Sequence, residues 1–379
     1  MPFQLPSALP LLSLALLVVL TGCPSEDPFP SFDEETELRN LAAVRRPPRS
    51  ATNRFADDPR AASLGQRLFF DEGLSGCGTV SCASCHPTPD YVDGERTSKG
   101  CSSGPARHTP TLLNVAFSHW YMWDGRADSL WSQAMLPLFD PHEMAADPDA
   151  LPAYLSSQHP QYAELFGHDP ATHADRQEVF ANVGKSLEAY VRTLVEVEAP
   201  FDERLAQFLR ATEEGRAEED PFYLPLKTFL REGRCIACHK GPMLTDQEFH
   251  NIGLADPRKD EGRIAARAQV AASPFNGAGL YSDDRTHGQI RLDALAARKT
   301  DDEVGAFKTP TLRNVSRTAP YMHTGAVQTL DEVIDLYDRG GDETGTFAGV
   351  RTESIAPLSL TAEQKAALRD LLDSLSPAP

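Results

Sequence analysis

The sequence predicts an all-α protein of two small domains related by an internal repeat, with long ordered loops between the helices. Three observations carry this. The chain has 379 residues, room for two domains of ordinary size. A segment containing Thr109-Pro110-Thr111-Leu112, Asn114-Val115, Tyr121-Met122, Gly125 and Leu130 returns as Thr309-Pro310-Thr311-Leu312, Asn314-Val315, Tyr321-Met322, Gly325 and Leu330, at a constant offset of 200. Finally, no stretch alternates apolar and polar residues as a half-buried strand does.

The elements follow in chain order. Leu9 to Leu20 is an uncharged apolar run that ends in Thr21-Gly22-Cys23. It reads as a lipoprotein signal, residues 1–22, cut before a lipidated Cys23. The first ten residues hold no Lys or Arg, and a membrane-spanning helix is the other reading. Residues 23–50, rich in Pro, Glu and Arg, read as a flexible tether. Asp57 to Phe70 reads as a helix with Leu64, Leu68 and Phe69 inward. Arg176 to Leu209 is a long helical stretch broken at Pro200. Pro221 to Glu232 is the next helix, and Thr361-Ala362-Glu363-Gln364 is a capping box that opens a last helix to Leu375. The expected division is 51–215 and 216–379.

Charge narrows the partners. Lys and Arg number 36 against 55 Asp and Glu, a net charge of −19, which argues against nucleic acid, since that is held by cations on phosphate. A charged protein partner is then a basic one. No second apolar run of about 20 residues exists, which excludes a polytopic membrane protein.

Of the seven cysteines, four lie in Cys82-Ala83-Ser84-Cys85-His86 and Cys235-Ile236-Ala237-Cys238-His239. Both are C-x-x-C-H, the attachment signature of a c-type haem. Two thiols one turn apart add to the two vinyl groups, and the next imidazole lies under the iron. One match could be half a zinc site, but two in an exported chain with no further C-x-x-C partner point to two covalent haems, one in each cytochrome c-like domain. Cys77 and Cys101 remain, flanking the first motif. In an oxidising compartment they are expected to pair. A free buried thiol and a Cys101 sulfur on iron are the other readings.

The repeat also compares the two irons. Fourteen residues after Trp123 stands Pro137, and fourteen after His323 stands Tyr337. Proline has no lone pair to offer iron, so the first haem is left open, whereas Tyr337 carries a phenol oxygen. A core aromatic beside Leu330, Val333 and Ile334 is the plainer reading of Tyr337. Gln133 and Glu143 bracket Pro137. A carboxylate near an open iron can move a proton between the oxygens of hydrogen peroxide, and an amide can orient that peroxide. The plainer reading of the pair is a solvated loop.

Taken together, CASCH at 82–86, TPTLLN at 109–114, WDGRA at 123–127, Gln133 with Pro137, Glu143, CIACH at 235–239 and FKTPTLRN with TAPYMH between 307 and 323 resemble the bacterial dihaem cytochrome c peroxidases, with the MauG-type oxidases as a branch. The resemblance spans Asp57 to Leu375. It implies that peroxide reacts at the haem of His86, with Gln133, Pro137 and Glu143 as its distal pocket. Trp123 then lies between the haems, and the haem of His239 relays electrons. At the position of Tyr337 the peroxidases have Met and the MauG branch Tyr, which implies Tyr337 as the second axial ligand.

There are two departures from the family pattern. Cys101 stands where many peroxidases place a His that caps the resting iron, so a first haem open without reductive activation is expected. His108 stands where the family has Asn, beside carbonyls matching Thr318 and Pro320 in an interdomain calcium site. The expected function is reduction of hydrogen peroxide to water in the periplasm, by an enzyme lipid-anchored to a bacterial membrane. Its electrons come from a small cytochrome c or a blue copper protein. A MauG-like oxidase of a partner protein and a non-enzymatic electron carrier are the alternatives.

Overall fold

The computed structural model describes residue 1 and residues 29–95, 100–104, 107–298, 300–342 and 346–377. The leader, Cys23 and Thr97–Lys99 lie outside them. The helices are α1 (Phe32–Asn40), α2 (Pro59–Phe69), α3 (Cys82–Cys85), α4 (Leu130–Phe139), α5 (Leu151–Gln158), α6 (Gln161–Phe166), α7 (Arg176–Val191), α8 (Pro200–Glu213), α9 (Tyr223–Leu230), α10 (Arg263–Ala272), α11 (Arg285–Ala296), α12 (Leu330–Asp338) and α13 (Ala362–Ser374).

Each half has a three-helix core. In the first, α7 packs on α2 and α4; in the second, α13 packs on α9 and α12. Helix α2 starts as its sequence dictates, with Asp58 capping the Arg60 amide and Pro59 in the first turn. Leu64, Leu68 and Phe69 are buried. Helix α7 is buried on almost every side, and glycines let its neighbours close in. A Cβ on Gly65 would stand 1.9 Å from the Ser186 carbonyl oxygen, a clash that only glycine avoids.

The repeat is structural as well as sequential. Asn114 and Asn314 are both left-handed, with φ of 60° and 65°, and Met122 and Met322 share φ near 66° and 69°. Ser129 and Thr329 cap α4 and α12. The halves meet where the Asn114 amide donates to Asn314 Oδ1 at 3.0 Å.

Three expectations need correction. Residues 29–50 are not a tether: Ser31 and Glu34 form a capping box on α1, and Phe29, Leu38 and Leu41 are buried in the second core. The acidic face of α1 hides a few apolar residues that find a hydrophobic partner far along the chain. The boundary at 215 also falls one helix late. Phe201, Leu205 and Phe208 of α8 belong to the second core, because the chain restarts as helix at Pro200 and packs on α1 and α13. Last, a two-residue antiparallel ribbon joins β1 (Phe249–His250) to β2 (Phe307–Lys308). It is too short for alternation to reveal.

Arg313 replaces Leu113 of the first half and is fully buried. Its guanidinium binds Asp202 at 2.6 Å and the carbonyls of Leu41, Val197 and Pro242. It ties the N-terminal segment, the linker and the loop after the second C-x-x-C-H together.

Candidate haem cleft

Both C-x-x-C-H motifs open on one cleft of about 770 Å³ between the halves, lined by Cys85, His86, Cys235, Cys238 and His239. In the first motif the ring Nδ1 of His86 lies 2.9 Å from the Tyr91 carbonyl oxygen. In the second, His239 Nδ1 lies 2.9 Å from the Leu244 carbonyl oxygen. A carbonyl only accepts, so each Nδ1 carries the proton and each Nε2 keeps its lone pair for a metal. Enclosure in the cleft holds both imidazoles below their ordinary pKa, so they stay neutral. The same burial pushes the Cys82 and Cys235 thiols up to about 12. Paired thiols, neutral oriented imidazoles and an apolar cleft fit two covalent haems.

The repeated T-P-T-L segment explains how the carbonyls are held. Thr111 Oγ1 donates to the Asp90 carbonyl at 2.7 Å, and Thr311 Oγ1 to the Met243 carbonyl at 2.5 Å. In each half the following residue turns left-handed, Tyr91 at φ 53° and Leu244 at φ 47°. That turn aims its carbonyl at the histidine five residues earlier. Sequence reading found the threonines but not their task; the signal was the equal spacing from histidine to bulky residue in both halves.

The two halves then diverge. Gln133 and Pro137 on α4 line the cleft, while the matching positions on α12 are Val333 and Tyr337. Gln133 Nε2 sits 3.6 Å from Met122 Sδ. Glu143 also lines the cleft, and burial raises its carboxyl pKa, opposed by Arg126. Its backbone is clamped. The Cys101 amide donates to the Glu143 carbonyl at 2.7 Å, and the Gly76 amide to the Met144 carbonyl at 2.9 Å. Cys77 and Cys101 form a disulfide, so neither is a free thiol and Cys101 is no iron ligand. Burial raises the Tyr337 phenol well above its usual range, with the Cys238 and Cys235 sulfurs adding to the effect.

Trp123 joins the halves. Its indole donates to the His108 carbonyl at 2.7 Å, and its own carbonyl accepts from the Lys308 amide at 2.8 Å. The His108 amide in turn donates to the His323 carbonyl at 2.8 Å. The His108 ring Nδ1 donates to the Glu95 carbonyl at 3.0 Å, and His108 also lines the cleft. Thr318 and Pro320 line the same cleft. Trp123, Gln133, Pro137, Glu143 and Tyr337 are therefore brought to one cavity with both histidines, whereas Cys23 lies outside the described residues.

Two haem attachment sites facing one cleft, with unlike residues at matching positions of α4 and α12, define a dihaem c-type oxidoreductase. The family model for di-haem cytochrome c peroxidase matches residues 59–209. The cytochrome-c peroxidase IdrP2 of Denitromonas iodatirespirans is 34% identical over 323 residues, covering 83% of this chain and 81% of its own. The methylamine utilization protein MauG of Methylorubrum extorquens is 31% identical, covering 91% and 87%. The chain belongs to the dihaem cytochrome c peroxidase family. Among solved structures, a MauG-like protein associated with microbial copper homeostasis superposes with a TM-score of 0.64 at 27% identity, over 88% of this chain and 93% of that one.

Proposed function

We propose that the protein is a periplasmic dihaem peroxidase: one hydrogen peroxide, two protons and two electrons give two waters. The observation that carries this is the contrast between Gln133 and Pro137 on α4 and Val333 and Tyr337 on α12, which leaves polar groups on one side and a phenol on the other. The two haems supply the iron that accepts electrons singly and passes them to peroxide. Glu143 takes a proton from the incoming peroxide and returns it to the departing oxygen as water forms. The Gln133 amide orients the peroxide, and Pro137 keeps the helix face free of a ligand. Trp123 carries electrons between the halves. Tyr337 would hold the second iron, its oxygen favouring the oxidised metal.

The electron donor is a small cytochrome c or a blue copper protein with a basic face. Residues 1–22 are a leader, and Cys23 carries the lipid. A calcium ion at the Thr318 and Pro320 carbonyls is the finer proposal. His108 offers nitrogen where an oxygen would serve calcium better; loss of turnover on chelator treatment, restored by added calcium, is the outcome expected of a bound ion. The first half is the peroxidatic domain and the second the electron-transfer domain.

Turnover with reduced cytochrome c and peroxide tests the reading. Steady oxidation of the donor, two per peroxide, is expected. Tyr337 favours a second reading, a MauG-like oxidase that draws its electrons from side chains of a partner protein. No donor turnover, together with peroxide-dependent modification of a co-expressed neighbour, would replace the first reading with the second.

A further inference from the structure

We propose that His168, His173 and Glu178 form a binding site for one divalent transition cation of the zinc class, apart from the haem cleft. One donor atom from each residue lies within 4.8 Å of the others, and none of the three lines the cleft. The inference is independent of the peroxidase reading.

The chain builds the cluster from a short connection and a helix start. Helix α6 stops at Gly167, left-handed at φ 79°, which turns His168 back toward α7. The Thr172 and His173 amides both donate to the Asp169 carbonyl, and this tight turn sets His173 beside His168. Asp175 caps α7, and Glu178 falls in its first turn. The two imidazoles stack at 3.8 Å with 21° between their planes. His173 Nε2 lies 3.0 Å from Glu178 Oε2.

Two features go beyond an ordinary surface ion pair. His168 Nδ1 is buried and, among the described residues, has no hydrogen-bond partner. With the ring proton on Nε2, Nδ1 presents a lone pair that a cation would satisfy. The ring is also held from behind. Tyr162, buried in the first core, packs against it edge-on at 5.5 Å, and the Asn182 amide is 3.5 Å from His168 Nε2. A half-turn of that amide puts its oxygen against the Nε2 proton and the Tyr162 hydroxyl together, the outer-shell support that ligating imidazoles receive.

Chemistry selects the ion. Two neutral imidazoles and one carboxylate suit zinc, nickel or cupric ion, whereas calcium and magnesium take oxygen ligands. A tetrahedral zinc needs its donors about 3.3 Å apart, with bonds near 2.0–2.1 Å. The Glu178 and His173 side chains, 47% and 25% exposed, are free to close that gap over a fixed His168. The neighbouring charges favour a cation: Asp169 lies beside His168, while Arg176 is paired with Asp149. Bound there, the ion would pin the α6–α7 connection to the helix at the centre of the first core.

The test uses tag-free, haem-loaded protein, so that the Cys238 thiol near His250 is already consumed. After chelation and desalting, the protein is dialysed against Zn(II) and its metal measured by plasma mass spectrometry. One zinc per chain is expected, with affinity falling at least about tenfold in His173→Ala, in His168→Gln and in Glu178→Gln. The exposed His287→Ala serves as control and is expected to bind as wild type. Haem absorption and circular dichroism confirm that each variant is folded. Binding should weaken as pH drops, because protons compete for the imidazoles. Equal zinc uptake by wild type and all three variants, or none by wild type at about 100 μM, which is above the range expected of a built site, overturns the proposal.

Discussion

Glu143 shows what a single side chain gains from its place. On paper it is one acid in a chain of net charge −19; in the cleft, burial raises its pKa toward the range where a carboxylate can both take and give a proton. A base must be ionised to accept, so the rate of peroxide reaction should fall as pH drops through this raised pKa. The acid limb should sit above the ordinary carboxylate range. Glu143→Gln should remove that limb and cost about 10²–10⁴ in rate, measured by stopped-flow absorbance of the haems. A loss below threefold would leave Glu143 a structural residue. If Tyr337 holds the second iron as proposed, Tyr337→Met should replace the phenol by a thioether. Paramagnetic resonance and a redox titration should show a changed low-spin signal and a higher potential. An unchanged spectrum would return Tyr337 to the core.

At the scale of elements, the disulfide and the Glu143 loop form one unit. The bridge joins residues 24 apart, and the amides of Gly76 and Cys101 beside its sulfurs hold the carbonyls of Met144 and Glu143. Removing it as Cys77→Ser with Cys101→Ser should cost about 2–4 kcal/mol in chemical denaturation. It should also slow peroxide reaction without slowing electron uptake from the donor. Equal slowing of both would mean general loosening. Helix α1 makes a second unit with the far half. Leu38, fully buried, should cost about 2–5 kcal/mol as Leu38→Ala. A flexible tether would lose nothing, so this measurement decides whether the N-terminal segment is part of the fold.

Over the whole molecule, duplication supplies two similar sites and divergence makes them unequal. Equivalent threonines hold the carbonyl one residue before the one that meets each histidine, whereas α4 and α12 present different residues to the cleft. The net negative charge acts at this scale too. If a basic donor is steered by it, the second-order rate constant should fall by about tenfold as salt rises from about 0.01 to 0.15 M. A rate independent of salt would mean that the donor docks on an uncharged face.

The sequence alone determined the two C-x-x-C-H motifs, the repeat and the helical class, because each depends on residue type at short, fixed spacing. Only the tertiary structure decided that α1 and α8 belong to the second core. It likewise decided that the carbonyls of Tyr91 and Leu244 orient the histidines, and that His168 and His173 stack beside Glu178. Such contacts depend on which distant apolar faces meet and where a backbone carbonyl turns, and neither leaves a periodic trace in the chain.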